Sequence, residues 1–410
     1  MSVIGIRGNR AYAGLAKQTT QGVSVAPIYF PRWLDGTSVE IDMKAEDLWE
    51  GDGSRRLSQI IKNQQHVKIK HMCYPRPNEV ALLEAAAMGA GSDAYTGPTT
   101  GTALTTSGAG NTAGSTTLTL SGNTGLTSAG SAQVVLNPGT ATEEIVTVTT
   151  PGTANAFTVT VPATGLKYAH VAGQTSESAA THVITDQVDG SYYTWEFSIG
   201  DTAGTILRVR DCKCASIKRG AKAGTALSYE TEWEGIASVA QGAAATVTLD
   251  PHSIFLFTQG VWTLDGGTTG DALAVDTFDI ATKNNLDVFQ TEQLTPAGII
   301  FGNVNMDLSL NIVMQNASKV NQTYFGGTAG TTDAQAMGTG SLLLLFTQPD
   351  NFHTTTYNVP SLVYTKTTIP QPKKDGKSWR LPIAASVTSN AGVNTYLLQT
   401  TVTNTLYSAA

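Results

Sequence analysis

The stretch Ser38–Met88, SVEIDMKAEDLWEGDGSRRLSQIIKNQQHVKIKHMCYPRPNEVALLEAAAM, reads as strand, charged loop, strand, proline turn and helix. Val39, Ile41 and Met43 alternate with Glu40, Asp42 and Lys44, the period of a strand with one buried face. A polar loop is expected over 46–65, carrying Glu46, Asp47, Glu50, Asp52, Arg55, Arg56 and Lys62. Val67, Ile69, His71 and Cys73 alternate as a second strand, which Pro75-Arg76-Pro77 stops. Asn78 is placed to cap a helix from Glu79 to Met88, with an acid at its positive end and Gly89 beyond its last turn.

The same plan returns 239 residues later. Phe278, Ile280 and Thr282 answer Val39, Ile41 and Met43, and Lys283 answers Lys44. After a long loop, 284–302, Met306, Leu308, Leu310 and Ile312 answer Val67, Ile69, His71 and Cys73, and 316–325 takes the helix position. A constant register over two strands and a helix implies a tandem duplication. The rear strands return sooner: Cys212 and Cys214 precede Ser361 and Val363 by 149. The difference, 239 − 149 = 90, is close to the length of 92–183, which is therefore read as an insertion into the first unit. That segment holds only Asp93, Glu143, Glu144, Lys167 and Glu177 as charges, and 117–120, 133–136, 144–148 and 157–161 read as short strands.

The 410 residues suffice for two or three domains; only 14% are charged, and β-branched runs between Gly, Asn and Pro point to mostly β structure. Net charge −7 and pI about 5.4 argue against a tight nucleic-acid binder, which needs a basic face. Cys73, Cys212 and Cys214 are too few and wrongly spaced for a disulfide framework or a zinc knuckle, and read as small core residues. Residues 1–10 hold no long apolar run, and no stretch approaches the ~20 apolar residues of a membrane span. The expectation is a soluble protein made in a cytoplasm.

Residues 1–37 read as an arm that either packs on its own domain or reaches a neighbour. Its run from Tyr12 through Lys17, Gln18 and Gly22 to Pro27 resembles the opening of the tail tube proteins (major tail proteins) of long-tailed bacteriophages. Gln18 stands where that family usually has an acid, and Val23-Ser24 where Thr is common. The family's following strand, charged loop with a Gly/Ser/Arg cluster (compare Gly51 to Arg56), strand and Gly-terminated helix are present in order. The resemblance covers 1–91 and 190–238, and 250–410 more loosely; order and spacing carry it. The run 133–173 is similar to a small β module grafted into phage structural proteins.

The resemblance implies a mainly β chain of two tandem tail-tube β-sandwich or barrel domains, each with a short helix, plus an inserted small β domain. The expected divisions are an arm, 1–37; a first tube domain, 38–91 and 184–245; a decoration domain, 92–183; and a second tube domain, 246–410. It implies a structural virion protein that polymerises into stacked tail-tube rings and conducts the genome. Family rings present six sheets to the lumen, so two copies per chain imply a trimer with pseudo-sixfold symmetry; six chains with the C-terminal domain outside is the variant. Expected partners are the chain itself, a tape-measure protein, the tail terminator and the distal tail protein. DNA passes without specific binding, no membrane is involved, and the location is the virion tail, assembled in the bacterial host cytoplasm.

An acidic lumen makes Glu40, Asp42, Glu230, Glu232, Glu234 and Asp279 candidates for its lining; they read equally as outer solvent positions. Ring-to-ring contacts are expected at Tyr12, Lys17, Asp47, Trp49, Asp52, Arg55, Arg56, Phe289 and Glu292. No catalytic residue, metal ligand or cofactor is expected. The six histidines are scattered with none at metal-ligand spacing, and Glu143-Glu144 points to opposite faces of a strand. The alternative function is a secreted or virion-surface β adhesin or carbohydrate-binding protein.

Overall fold

The computed structural model describes residues 11–48, 59–89, 91, 93–96, 104–107, 111–121, 131–137, 140, 142–149, 155–178, 180–198, 206–241, 244–265, 275–313, 318–326, 332, 337–349, 353–368, 380–389 and 396–404. The chain is mainly β. It opens with β1 (Tyr12–Lys17), β2 (Ser38–Leu48), β3 (Gln59–Cys73) and α1 (Pro77–Met88). A stalk strand β4 (Asp93–Thr96) leads to β5 (Leu104–Thr105), β6 (Thr117–Thr119), β7 (Ser131–Leu136), β8 (Glu144–Thr149), β9 (Ala156–Val161) and β10 (Thr175–Ser178), and β11 (Ala180–Thr185) returns. Then come β12 (Tyr193–Ser198), β13 (Ile206–Lys222), β14 (Ser228–Gly235) and β15 (Ala237–Gln241). The second half holds β16 (Gly260–Leu264), β17 (Val275–Lys283), β18 (Asp287–Phe289), β19 (Gly298–Ile300), β20 (Asn305–Val313), α2 (Ser318–Phe325), β21 (Thr339–Thr347), β22 (Thr354–Thr367), β23 (Arg380–Val387) and β24 (Gln399–Asn404).

The strand order repeats. One antiparallel run reads β2-β3-β14-β13 and continues edge to edge into β17-β20-β23-β22. Behind it, β1 pairs β12 and β16 pairs β21. The long strands β13 and β22 belong to both layers. The first part of β13 pairs β12 and β15, and its second part pairs β14 and β17. Likewise β22 pairs β21 and β24, then β23. Each half is thus a two-layer sandwich with a shared bent strand.

The bends match in detail. Register slips where Tyr193 faces Cys212 and Trp195 faces Val209, and again where Gly340 faces Leu362 and Leu342 faces Val359. A second bulge leaves Ala215 unpaired between Cys214 and Ser216, and Thr365 between Tyr364 and Lys366. Both put β22 at 365 − 215 = 150 residues after β13, not the 149 read from the sequence, so Leu362 and Tyr364, rather than Ser361 and Val363, answer Cys212 and Cys214 on the buried face. Ile69 faces Val39, and Leu308 faces Ile280, so β20 follows β3 by 308 − 69 = 239 but β17 follows β2 by 280 − 39 = 241. The single offset read from the sequence is therefore off by two in the first strand. A two-residue slip keeps every side chain on its face, so the hydrophobic pattern does not report it.

One hydrophobic cluster spans both halves, from Leu15, Ile69, Trp195 and Trp233 to Phe278, Phe346 and Tyr357. Nearly every residue of α1 is buried, which explains its run of Val, Ala, Leu and Met all round. Pro77 opens that helix, where its missing N–H costs nothing, and the Glu79 carboxylate accepts the Arg76 N–H at 3.0 Å. Asn78, expected as the cap, lies inside the helix and donates its own N–H to Asp250.

Other expectations shift too. Strand pairing extends to Leu48 and from Gln59, so much of the expected 46–65 loop is hairpin. Residues 206–222 form one continuous strand, bent at Asp211, whose φ is 56°. Within the expected arm, Tyr12–Lys17 is an integral strand, with Leu15 fully buried. The small sheet, ordered β5-β10-β7-β8-β9-β6, has its own core of Leu118, Leu136, Val146, Phe157 and Leu166. Its stalk pairs with the other half: β11 lies between β4 and β24.

Candidate functional site: a polar sheet face and two free edges

Glu40, Asp42, Glu230, Glu232, Glu234 and Asp279 all lie on one face of the eight-strand run, opposite the core. Register places Glu40 across from Lys68, Lys68 across from Glu234, Lys218 across from Glu230, and Asp279 across from Gly220. The face is not uniformly acidic. Lys68 pairs Asp42 and Lys218 pairs Asp279, each at 3.5 Å, and Lys70 bonds Glu230. His66 stands 3.6 Å from both Asp42 and Glu234, and burial pushes its pKa down. Burial pushes Glu234 up to about 7, Lys68 opposing and Asp42 adding to the rise, so it titrates near neutrality. Sequence alternation singled out these acids; the interleaved lysines, Lys68 and Lys70 on β3 and Lys218 on β13, moderate the charge of the face.

The expected ring-contact residues come from three segments of the chain. Tyr12 and Lys17 are in β1, where the Tyr12 hydroxyl donates to Glu196 at 2.6 Å and burial raises its pKa to about 12. Asp47 is exposed near the end of β2, while Trp49, Asp52, Arg55 and Arg56 lie outside the described residues. Phe289 and Glu292 are exposed in the 284–302 segment, which carries the small hairpin β18–β19 and accepts the Gln65 N–H at Leu294 O.

The halves meet at a joint formed by an unbroken strand pairing. Ser216–Lys222 of β13 pair with Lys283–Thr277 of β17 over seven positions. Beneath it, Arg219 is fully buried and clamps the Glu84 carboxylate of α1 at 2.7 and 2.6 Å, while its third nitrogen donates to Thr282 at 2.9 Å across the joint. Burial opposes the charge on Arg219, but Glu84 holds its pKa up. Tyr229 also donates to Glu84, at 2.6 Å, and meets Tyr357 of the second half. At the end of the joint, Asn284 seats in a notch and donates to Ala87 O of α1 at 2.8 Å and Cys214 O of β13 at 2.9 Å.

Both partners of this joint have counterparts left at the outer edges. Among the described residues β2 pairs only β3, and β22 beyond Tyr364 pairs only β23. The notch recurs: a pocket lined by Thr323, Tyr324, Met337, Tyr364 and Lys366 lies between α2 and β22. The counterpart of Asn284 is Met43, since 284 − 241 = 43, and Met43 is exposed. Thr282 is 1% exposed at the internal joint, whereas its counterpart Ile41 is 38% exposed.

One group of described side chains could hold a metal ion: Glu143, His252 and His353, whose ligand atoms lie within 4.8 Å of one another. Burial opposes charge on His252, but its bonds to Asp250 and Glu143 prevail and raise its pKa to about 9. Sequence spacing missed this group because its members are more than 100 positions apart. Cys212 and Cys214 are buried, and burial raises both thiol pKa values, which suits inert core residues. No helix among the described residues is long and apolar enough to cross a membrane. No family model matches this chain, and no curated protein matches it.

Proposed function

We propose that this chain is a structural protein that assembles into closed rings and stacks them as a phage tail tube, with three copies per ring. The observation that carries the reading is the internal joint. Its two edges have counterparts at the outer ends of the same sheet that are unpaired among the described residues, so a second copy repeats the joint without new chemistry. Transferring the register of β13 and β17 by 150 and 241 sets Lys366 opposite Asp42 of the next copy, and Thr367 opposite its Ile41. Met43 then plugs the Tyr324/Met337/Tyr364 pocket, a thioether against aromatic rings.

Three copies close a barrel of twenty-four strands, at eight per chain. With strands ~4.8 Å apart and tilted ~40°, its backbone diameter is roughly 48 Å, which admits duplex DNA after side chains are allowed for. The polar face becomes the lumen, because the opposite face is the sandwich core. Its paired acids and lysines give DNA no basic stripe to bind. Closure removes both exposed edges, and the resemblance to tail tube proteins agrees with such an assembly.

The test is a pair of cysteines, Asp42→Cys and Lys366→Cys, in one chain. Facing residues of an antiparallel pair are ~4.5–5.5 Å apart at Cα, within disulfide reach. Oxidation should give a closed covalent trimer, with neither single variant doing so. Only intramolecular or random crosslinks would sink the reading.

A further inference from the structure

Glu143 and Glu144 are sequence neighbours with opposite fates. Glu144 turns into the small sheet, where it accepts the Lys167 N–H at 2.6 Å and meets His170 Nε2 at 2.7 Å. Glu143 turns out toward the second half, where its Oε1 lies 2.8 Å from His252 Nε2. The His353 ring stands beside that of His252, centroids 4.3 Å apart, and is almost wholly buried. Three segments distant in sequence thus bring two imidazoles and a carboxylate to one point.

We propose that Glu143, His252 and His353 bind one divalent transition-metal ion, Zn2+ foremost, which staples the small sheet to the second half. Two imidazole nitrogens and one carboxylate oxygen are a zinc donor set, with water completing a tetrahedron. The surroundings fix the ligands. Asp250 bonds the Nδ1 of His252, which leaves Nε2 directed at Glu143, and a carboxylate behind the imidazole is the usual support of a metal-bound histidine. Asp250 is itself held by the N–H groups of Asn78 and His252, each at 3.0 Å. The His252 carbonyl accepts from Arg76, and the Gln348 N–H donates to the His353 carbonyl at 3.0 Å, so both histidine backbones are anchored. Tetrahedral ligands at about 2.0–2.2 Å stand roughly 3.3–3.6 Å apart, so the group closes on an ion by side-chain movement of about an ångström.

Binding forms three metal–ligand bonds and displaces the proton between His252 and Glu143 into solvent; no electron moves. The ion does not depend on ring assembly and is tested on the dispersed full-length chain. The protein is stripped with chelator, titrated with Zn2+ by calorimetry, and measured for bound metal by mass spectrometry. One equivalent per chain is expected, with a raised thermal midpoint that chelator reverses. Co2+ in place of zinc should give the visible absorption of a tetrahedral site. Glu143→Gln and His353→Gln should each weaken zinc binding about 10–100-fold, with His66→Gln unchanged. Circular dichroism verifies each fold, and if His353→Gln unfolds, Glu143→Gln decides. Zinc at the level of the stripped blank, or wild-type affinity in a folded Glu143→Gln variant, overturns the proposal.

Discussion

Replacing Arg219 by methionine removes one partner of the only fully buried ion pair among the described residues and leaves the Glu84 carboxylate charged beneath the joint. Two parallel hydrogen bonds and one bond to Thr282 are lost together. Breaking a buried pair from one side costs about 3–5 kcal/mol, because the remaining charge keeps its desolvation penalty without its partner. Tyr229 still donates to Glu84 and moderates this, so the expectation is about 3 kcal/mol. Glu84→Gln strands the guanidinium instead and should cost a similar amount. The double variant Glu84→Leu/Arg219→Met removes both charges, and its loss should be well below the sum of the singles. The assay is urea unfolding followed by the fluorescence of Trp195 and Trp233, which are buried in the adjoining core. Single variants costing under about 1 kcal/mol, or a double variant equal to the sum, would refute the reasoning. The same cycle explains a difference between the joints. The position answering Arg219 is Ile369, outside the described residues, and that answering Glu84 is Thr323. The internal joint is locked by a buried ion pair, whereas the outer joint of the proposed ring would have Ile369 and Thr323 at those two positions, neither of them charged.

Glu79 is pushed up to about 8, mainly by burial, with the Arg76 N–H opposing. An acid whose pKa rises on folding holds its proton longer in the folded state, so this group lowers stability as pH climbs from about 4.5 to 8. Glu79→Gln should therefore flatten that part of the pH–stability curve and stabilise at pH 8 by a few kcal/mol; an unchanged slope would contradict the assignment. Met43→Glu should leave the unfolding midpoint of the isolated chain within about 0.5 kcal/mol, since the side chain is exposed, yet abolish assembly in light scattering; normal assembly would remove the plug from the account. Replacing 104–178 by a short linker deletes the small sheet but keeps β4 and β11 on β24, and rings should still form. Aggregation of that variant, with its stalk intact, would make the small sheet part of the wall.

The sequence made the repeating sandwich legible because amphipathic strands write their period locally. The two front strands and four of the six strands of the small sheet are visible as alternation bounded by Gly, Pro and Asn, and the helix by its proline start and Gly stop. What stayed hidden lies in long-range pairing. Asp211 carries turn chemistry, but in β13 it bends a continuous strand from one layer into the other. Tyr12–Lys17 looks too small-residued for a core strand, yet it pairs with β12 along its whole length, and Ala13, Leu15 and Ala16 are buried. The stalk strand β11 pairs with β24, some 220 residues away, and no local pattern announces that. The acidic side chains were found on one face by alternation alone, whereas their lysine partners required the register. The Glu143, His252 and His353 group is assembled wholly by the fold, so spacing rules built for single loops pass over it.

The central claim is that the free edges of one copy repeat the joint inside it. Negative-stain electron microscopy of the purified chain, at low and then high concentration, tests this most directly. The account predicts hollow rings whose class averages show threefold symmetry and six similar lobes, stacking into tubes as concentration rises. A dispersed monomer at every concentration, or rings of six chains with the second half projecting outward, would contradict it.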